Sequence, residues 1–462
     1  MIYCCSEITG DIQKNTGGSL VTGNTITIAQ GTLEGVEQEH CWVYKGIPYA
    51  EAGRFQVPHS PKQWEGIFKA DVFPPKCPQS ASEPGNRKKT YNREFYNDPA
   101  FAVEQREDCL RLNIWTPKQA KDCPVALWIH GGSYMSGYGS ECEFDGAEYA
   151  KRGIILVTFN YRLGVLGFFT HPELDERDGN SGNYGMLDQI AAFNWVYENI
   201  AAFGGNPNKI TVFGQSAGSI GVNTLVLQPE LRGKISGAIM QSSGSYRSPL
   251  LFKFYKKDIQ KAYSSLMRMR RLTLKDLETM PAKRVNALNI PLIVHAVFRT
   301  HTIFNFGPTI GCWKHSADSD TLYEQGMEHA IPYIIGCTKN DLLTGPGANG
   351  SPEKNKLHQS SMAFAKLEES RGNPVYTYYF KRDLPGDSWK AFHASELWYM
   401  FGTLDRCWRK FTPQDYNLSK RMLDAWAAFM HTGNPGWPSC TAENNYHTEQ
   451  LDAELLCGAH RK

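Results

Sequence analysis

Short apolar runs, rich in β-branched residues, alternate with helical patterns through the middle of the chain. Residues 125–129 and 154–159 each predict a buried strand, because almost every position in them is apolar. Residues 187–200 follow with helical spacing, and residues 210–213 predict the next strand. Strands that alternate with helices favour a mostly parallel sheet covered by helices.

The same alternation continues towards the end of the chain. Further strands are predicted at residues 235–240, 333–335 and 375–380. Residues 416–431 have the spacing of an amphipathic helix, and a glycine and a proline just beyond them supply its end. The last 20 or so residues are polar, and we expect them to be loosely ordered.

Residues 245–305 differ from the rest of the chain. They are rich in lysine and arginine, and their apolar positions have helical spacing. We expect a helical, cap-like insertion over the sheet, called the cap below, within a single domain that spans residues 1–462.

Composition excludes several classes of protein. The chain of 462 residues has 49 lysines and arginines against 47 acidic residues, a formal net charge of +2. This balance argues against a strongly basic nucleic-acid binder. With 41% hydrophobic and 12% aromatic residues, the chain is not of the disordered class. No apolar run approaches the roughly 18 residues that a membrane helix requires.

The cysteines and the N-terminal residues indicate the cellular compartment and the binding partners of the protein. Twelve cysteines are too sparse for a disulfide scaffold, and no Cys-x-x-Cys occurs, so we expect neither a metal nor a cofactor. The N-terminus lacks a basic segment followed by an apolar stretch. We therefore expect a cytoplasmic monomer or small homo-oligomer that acts on a small molecule, without nucleic acid or membrane as a partner.

Residues 210–218 carry the clearest chemical motif. The predicted strand ends in Gly214-Gln215-Ser216-Ala217-Gly218, and a helical pattern follows. A sharp strand-to-helix turn of this kind lifts a serine hydroxyl above the sheet, and small flanking residues avoid a clash. We therefore expect Ser216 to be a nucleophile.

The surroundings of this motif resemble the type-B carboxylesterase and cholinesterase family, in its bacterial form. The run from Phe203 to Gly218 matches one family signature, and residues 107–117 are similar to a second, with Arg111 where Tyr or Thr is usual. The resemblance covers about residues 22–437. It implies an α/β-hydrolase fold, with a large, mostly parallel central sheet flanked by helices and a helical insertion over the active site. It also implies hydrolysis of carboxylic esters through an acyl-enzyme intermediate.

A serine nucleophile needs a histidine base and a carboxylate that orients the histidine. His393 follows the strand at 375–380, and its surroundings resemble the histidine loop of the family. Asp341 stands at the position of the family's catalytic glutamate, one methylene shorter, so its loop must lie closer to His393. Asp387 is the alternative acid. Ser242 resembles a family serine that hydrogen-bonds to the acid.

Residues 130–134 follow the strand at 125–129 and resemble the family's oxyanion loop. Backbone N–H groups of Gly132, Ser133 and Ala217 would stabilise a tetrahedral oxyanion, with Gly131 shaping the turn. Ser133 replaces the usual third glycine, which keeps the N–H but restricts the backbone.

The resemblance does not determine which residues line the substrate pocket or whether one pair of cysteines forms a disulfide. A pocket rich in aromatic residues would suit aryl or short-to-medium acyl esters, and its candidate residues are Tyr134, Phe169, Gln215, Trp398 and Tyr399. Cys77 and Cys109 match a pair that encloses a loop in many relatives, but a reducing cytoplasm would keep them as thiols.

Three other functions are alternatives to ester hydrolysis for this sequence. The same triad also serves amidases and carbamate hydrolases, since a fold does not fix a substrate. A non-catalytic, cholinesterase-like binding protein is disfavoured because Ser216, His393 and Asp341 are all present. A lipase would need an apolar lid, and the cap has many lysines and arginines.

Overall fold

The computed structural model describes residues 20–79, 90–96, 98–301, 306–342 and 350–453. Its strands are β1 (Thr25–Ile28), β2 (Gly31–Glu34), β3 (Val36–Glu37), β4 (Cys41–Pro48), β5 (Ile67–Lys69), β6 (Arg111–Pro117), β7 (Cys123–Ile129), β8 (Ile155–Phe159), β9 (Gly205–Gln215), β10 (Ile235–Gln241), β11 (Tyr333–Thr338), β12 (Val375–Phe380) and β13 (Thr448–Leu451).

Its α-helices are α1 (Thr90–Phe95), α2 (Ala147–Ala150), α3 (Gly164–Phe168), α4 (Pro172–Asp178), α5 (Tyr184–Asn199), α6 (Ala217–Val226), α7 (Lys256–Arg270), α8 (Leu274–Thr279), α9 (Ala282–Asn286), α10 (Asn289–Thr300), α11 (Ser319–Glu324), α12 (Lys356–Glu369), α13 (Leu397–Phe401) and α14 (Pro413–Thr432).

Ten of the strands in these described ranges form one sheet, in the order β13-β12-β11-β10-β9-β7-β8-β6-β4-β3. The pairs from β13 to β8 are parallel, and the pairs that join β8, β6, β4 and β3 are antiparallel. Strands β1, β2 and β5 form a second, small sheet. The carboxyl ends of the parallel strands therefore meet at one edge, where α/β proteins bind their ligands.

Strand β7 shows how the sheet divides the core. Leu127 and Ile129 pack in one apolar cluster, whereas Ala126 and Trp128 pack in the other, on the opposite face. Alternate side chains of a strand point to opposite faces, so a strand buried on both sides is apolar throughout. This is why the sequence shows continuous apolar runs without alternation.

The predicted architecture is confirmed, with longer elements than expected. Strand β9 begins at Gly205, five residues before the predicted start, because Gly205 already pairs with Cys123 of β7. Regular pairing with β7 and β10 begins at Ile210, as predicted. The cap forms helices α7 to α10 within its described part. The expectation of a loosely ordered end is wrong for Thr448–Leu451, which pair with β12; residues 454–462 lie outside the described residues.

Candidate active site

Ser216 lies on a sharp turn between β9 and α6. Its backbone angles are φ 58° and ψ −125°, a region that residues with a side chain rarely occupy. A Cβ atom on Gly214 would lie 2.5 Å from the carbonyl carbon of Gly218, and one on Gly218 would overlap the carbonyl oxygen of Ile129. The two glycines therefore permit the turn that raises Ser216 above the sheet.

His393 and Asp341 are in direct contact. The imidazole Nδ1 lies 2.5 Å from Asp341 Oδ1, and both side chains are almost fully buried. Burial by itself would raise the pKa of Asp341, but the charge and hydrogen bond of His393 outweigh it, so the net pKa is lowered. An ionised Asp341 accepts a hydrogen bond from Nδ1–H, which keeps the proton on Nδ1 and leaves Nε2 as the basic nitrogen.

Backbone donors fix the carboxylate of Asp341. The N–H of Thr338 donates to Oδ2 at 2.9 Å, and the N–H of Leu342 donates to Oδ1 at 2.7 Å. The loop also lies close to the histidine loop, because the Asn340 N–H donates to the Ala391 carbonyl at 2.9 Å. This pairing supplies the close approach that the shorter aspartate requires.

Gln215 contacts the base. Its amide nitrogen lies 3.3 Å from Nε2 and 3.5 Å from Nδ1 of His393, so it contacts both ring nitrogens and does not lie along the lone pair of either one. In the described part of the chain, the Ser216 hydroxyl makes no hydrogen bond. The structure thus brings His393 together with Asp341 and Gln215, whereas no hydrogen bond joins His393 to Ser216 among the described residues.

Ser242 and Glu396 lie behind Asp341. The Ser242 hydroxyl is 3.4 Å from Glu396 Oε1 and also hydrogen-bonds to Asp341, which helps to lower the pKa of that carboxyl. Glu396 is fully buried, and its burial, with the nearby charge of Asp341, raises its pKa to about 7. The sequence analysis missed Glu396, although it lies only three residues after His393.

The alternative acid, Asp387, is engaged elsewhere. Its carboxylate pairs with the buried guanidinium of Arg409 at 2.9 Å, and Arg409 also pairs with Glu94. Trp398 and Trp408 donate to Glu94 as well. Asp387 therefore helps to hold the loop around the histidine, whereas Asp341 contacts the ring.

The loop after β7 carries the candidate oxyanion donors. Gly132, Ser133 and Tyr134 all have positive φ, at 102°, 56° and 56°. A Cβ on Gly132 would overlap the Ser136 carbonyl oxygen. Among the described residues, the N–H groups of Gly132 and Ser133 donate no hydrogen bond to the protein. They and the N–H of Ala217, at the start of α6, are therefore available to an anion beside Ser216.

His130 stabilises this loop from beneath. Its ring stacks on Tyr161 at 4.3 Å between centroids, and Nδ1 lies 2.9 Å from the Gly131 carbonyl. Burial lowers the pKa of His130 to about 4, so the ring is neutral at pH 7. Tyr161 in turn donates to the His130 carbonyl at 2.9 Å.

A cavity of about 110 Å³ opens beside Ser216, Ala217 and Ser133. Its wall is mainly apolar and includes Tyr134, Ile220, Leu250, Phe252, Phe306 and Ile310. Part of the wall is polar, where Lys253 pairs with Asp318 at 2.8 Å and His315 also lines the cavity. Burial lowers the pKa of His315 to about 4.

Several predicted pocket residues lie elsewhere. Tyr134 lines the cavity as expected, and Gln215 contacts the base. Phe169 is fully buried and stacks on Tyr263, whereas Trp398 stacks on Phe95. Tyr399 donates to Asp415 on α14. These three aromatic side chains are part of the core. The cap and the 306–310 segment form the cavity walls that we expected these aromatic residues to form.

Cys77 and Cys109 form a disulfide in this structure. The loop that they enclose includes α1, whose Tyr91 donates to the carbonyl of His393 at 3.1 Å. The disulfide therefore anchors the base of a loop that contacts the histidine loop. Within the described ranges, no group of acidic, histidine or cysteine side chains is arranged to hold a metal ion.

Comparisons with known proteins agree with this geometry. The sequence profile described as the carboxylesterase family matches residues 22–356 and 353–454. The chain is 30% identical to para-nitrobenzyl esterase of Bacillus subtilis (strain 168), over 94% of this chain and 95% of that protein. It is also 30% identical to human cocaine esterase, over 97% of this chain and 90% of that protein.

Solved structures show the same fold. A thermophilic PNB esterase superposes with a TM-score of 0.77 at 30% identity, covering 94% of this chain and 97% of that one. Fold and site together define an ester-cleaving α/β-hydrolase. The chain belongs to the carboxylesterase family, and it is a serine ester hydrolase. No helix among the described residues is long and apolar enough to span a membrane.

Proposed function

We propose that Ser216, His393 and Asp341 form the catalytic triad of this esterase. Ser216 attacks the ester carbonyl carbon while His393 Nε2 accepts its proton. His393 then protonates the leaving alcohol, and the acyl group stays on Ser216. A water molecule, deprotonated by His393, attacks the acyl-enzyme and releases the carboxylic acid. The contact of 2.5 Å between His393 and Asp341 is the main support for these roles.

In this proposal, backbone N–H groups stabilise the oxyanion. Gly132, Ser133 and Ala217 would donate to the oxygen that becomes negatively charged in each tetrahedral intermediate. Two of these N–H groups have no acceptor among the described residues, which supports the assignment. Gly131 and the stacked ring of His130 would hold the turn in place.

Gln215 would support the histidine during the reaction. In the structure its amide nitrogen contacts both ring nitrogens of His393, at 3.3 Å and 3.5 Å. This contact would hold the imidazole in place while Nε2 takes up the proton of Ser216. Gln215 would thus be a positioning residue for the histidine.

The cavity supports a small, uncharged ester as the substrate. Its volume of about 110 Å³ and its apolar wall suit a short acyl or an aryl group beside Ser216. The ion pair of Lys253 and Asp318 in the cavity wall favours a substrate with a polar terminus over a long alkyl chain. No cofactor takes part in this mechanism.

Hydrolysis of p-nitrophenyl esters from acetate to palmitate tests the proposal. We expect activity to peak at short chains and to fall by about 10⁴ to 10⁶ in kcat in Ser216→Ala. Ser236→Ala on β10 is the matched control and should retain activity. Comparable turnover by Ser216→Ala would refute the nucleophile, and faster cleavage of p-nitroanilides than of esters would favour an amidase.

We also propose a cytoplasmic monomer or small homo-oligomer, as the sequence predicts. A disulfide such as Cys77–Cys109 is more typical of an oxidising compartment, so a cytoplasmic location predicts that these two cysteines are thiols inside the cell. Thiol counting on protein that is alkylated during lysis, together with light scattering of the purified chain, tests both.

A further inference from the structure

Positive charge is concentrated in the cap. Residues 245–305 hold 12 lysines and arginines against three acidic residues, while the remaining chain holds 37 against 44. Most of these basic side chains are exposed. The net charge of about +2 for the whole chain therefore conceals a cap of +9 on an acidic body.

Helix α10 in this cap is apolar on two faces. Its inner face buries Leu292 and Ala296. Its outer face exposes Ile290, Val294 and Phe298, one helical turn apart, with side chains that are 56%, 61% and 77% exposed. Large apolar side chains aligned on an exposed stripe indicate a surface that meets a partner.

A basic groove lies beside this stripe. Helices α7 and α10 pack together, and Arg299, next to Phe298, donates to Ser265 on α7 at 2.9 Å. The groove between the helices is lined by Lys261, Arg268 and Arg299, with Asp258 at its rim. Consecutive residues of a helix point about 100° apart, so the groove lies on the side of α10 next to the apolar stripe. The stripe and the groove together are called the cap face below.

The cap face is joined to the mouth of the active-site cavity. Helix α7 begins directly after the Leu250–Phe254 segment of the cavity wall, and the Lys256 N–H donates to the Ile310 carbonyl at 2.9 Å. Phe252 and Leu342, at the cavity, are also exposed by about two fifths. The cap face thus follows the cavity wall along the same helix, with Arg268 about 18 Å beyond Lys256 at 1.5 Å per residue.

We propose that the cap face docks on a membrane surface that contains anionic phospholipid. Lysine and arginine would contact the phosphate headgroups, while Val294 and Phe298 would enter the acyl boundary. A dimer that packs cap against cap would bring like charges together, which disfavours it, and a dimer that packs the cap on the acidic body of a second copy is an outcome of the test below. A nucleic acid would pair with the cations but would leave the apolar stripe exposed to water. This surface departs from the sequence-based expectation of no membrane partner, and it does not depend on the roles of the triad.

Co-sedimentation of the full chain with vesicles tests the docking. We expect binding to phosphatidylcholine vesicles with about 30% phosphatidylglycerol, and at least tenfold weaker binding to pure phosphatidylcholine. Binding should weaken strongly between about 50 mM and 500 mM salt, because the Debye length shortens. Equal binding to both vesicle types, or none, would overturn the proposal.

Two pairs of substitutions separate the charge from the apolar contact. Lys261→Ala/Arg268→Ala should weaken binding by about 30-fold, and Val294→Ser/Phe298→Ser by about tenfold. Lys354→Ala/Lys410→Ala, two exposed lysines outside the cap, is the control for charge and should bind as the parent does. Hydrolysis of p-nitrophenyl acetate without vesicles should be unchanged in all of them, which shows that they fold.

Other partners of the cap face would give different results in these experiments. Loss of binding in the charge pair with no effect of the apolar pair would assign the face to an acidic polymer and refute lipid docking. A dimer without vesicles that dissociates in Val294→Ser/Phe298→Ser would assign it to a second copy. Ser216→Ala should keep full vesicle binding, so a failure of the triad assignment would be visible separately.

Discussion

The carboxylate of Asp341 reaches the imidazole of His393 although it is one methylene shorter than the glutamate usual at this position. The reason lies in the backbone, where the Asn340 N–H donates to the Ala391 carbonyl at 2.9 Å and joins the two loops. Asp341 Oδ1 and His393 Nδ1 are then 2.5 Å apart. The contact between Asp341 and His393 therefore depends on the pairing of their two loops as well as on the aspartate side chain.

Asp341→Asn should lower kcat for p-nitrophenyl acetate by about 10⁴, with a smaller change in KM. An amide in place of the carboxylate favours the wrong tautomer of His393 and cannot stabilise its charged form. Steady-state kinetics measure the effect. Asp387→Asn, which removes a charge near the same loop, should cost far less; an equal loss in both variants would contradict the assignment of the acid.

Asp341→Glu should also be impaired, by about 10- to 100-fold in kcat. The two oxygens of Asp341 are held by N–H groups of Thr338 and Leu342, so an added methylene must displace the carboxylate or the ring. Full activity in this variant would mean that the loop adapts freely. A crystal structure of the variant would then show the loop displaced from Ala391.

Ser133→Gly should stabilise the protein by about 1 kcal/mol while keeping kcat within a few-fold. Ser133 has φ 56°, a conformation that glycine adopts without strain, and the N–H needed for the oxyanion is retained. Gly132→Ala is the opposite case, since its Cβ would overlap the Ser136 carbonyl oxygen. It should lower kcat by about 100-fold or prevent folding; urea denaturation and kinetics distinguish these results.

Glu396→Gln should stabilise the protein at pH 8 but not at pH 4.5. The folded-state pKa of Glu396 is raised to about 7, above its ordinary value near 4.5, by burial and by Asp341. A raised carboxyl pKa makes the wild type lose stability as pH increases from about 4.5 to 7, because only the unfolded chain ionises freely. Glutamine removes that loss, which amounts to about 3 kcal/mol at most.

Denaturant unfolding of both proteins across this pH range measures the difference. The gap should open between pH 4.5 and 7 and then stay constant. A gap that is independent of pH would mean that folding does not raise the pKa of Glu396. Glu443→Gln, at an exposed position outside the site, is the matched control and should show little pH dependence.

Cys77→Ser/Cys109→Ser should lower the free energy of unfolding by about 3–4 kcal/mol. The disulfide closes a loop with a sequence separation of 32, and its loss frees the unfolded chain. Thermal unfolding measures this, and reductant should give the wild type the same midpoint. Because Tyr91 in this loop contacts the His393 carbonyl, we also expect a lower kcat in the variant. An unchanged midpoint with reductant would show that the bond is absent in solution.

Local patterns determined the layers of this protein. A strand buried on both faces is apolar at every position, so residues 125–129 and 375–380 were identified without knowledge of their neighbours. The elbow at Ser216 was also predicted, since its backbone needs small residues at fixed offsets in the sequence, and His393 was identified from its place after β12. The family resemblance supplied the order of the triad.

Contacts between distant segments were decided only by the tertiary structure. Asp341 and Asp387 both follow strands near His393, and the structure separates them because Arg409, far along the chain, pairs with Asp387. Phe169 and Trp398 are aromatic, as pocket residues often are, but they pack in the core. The cap supplies the cavity wall. The sequence by itself determined which segments are buried and where a strained turn is possible, because burial and turns depend on neighbouring residues. The pairing of the loops, the neighbours of each carboxylate and the shape of the cavity depend on residues that meet only when the whole sheet is assembled.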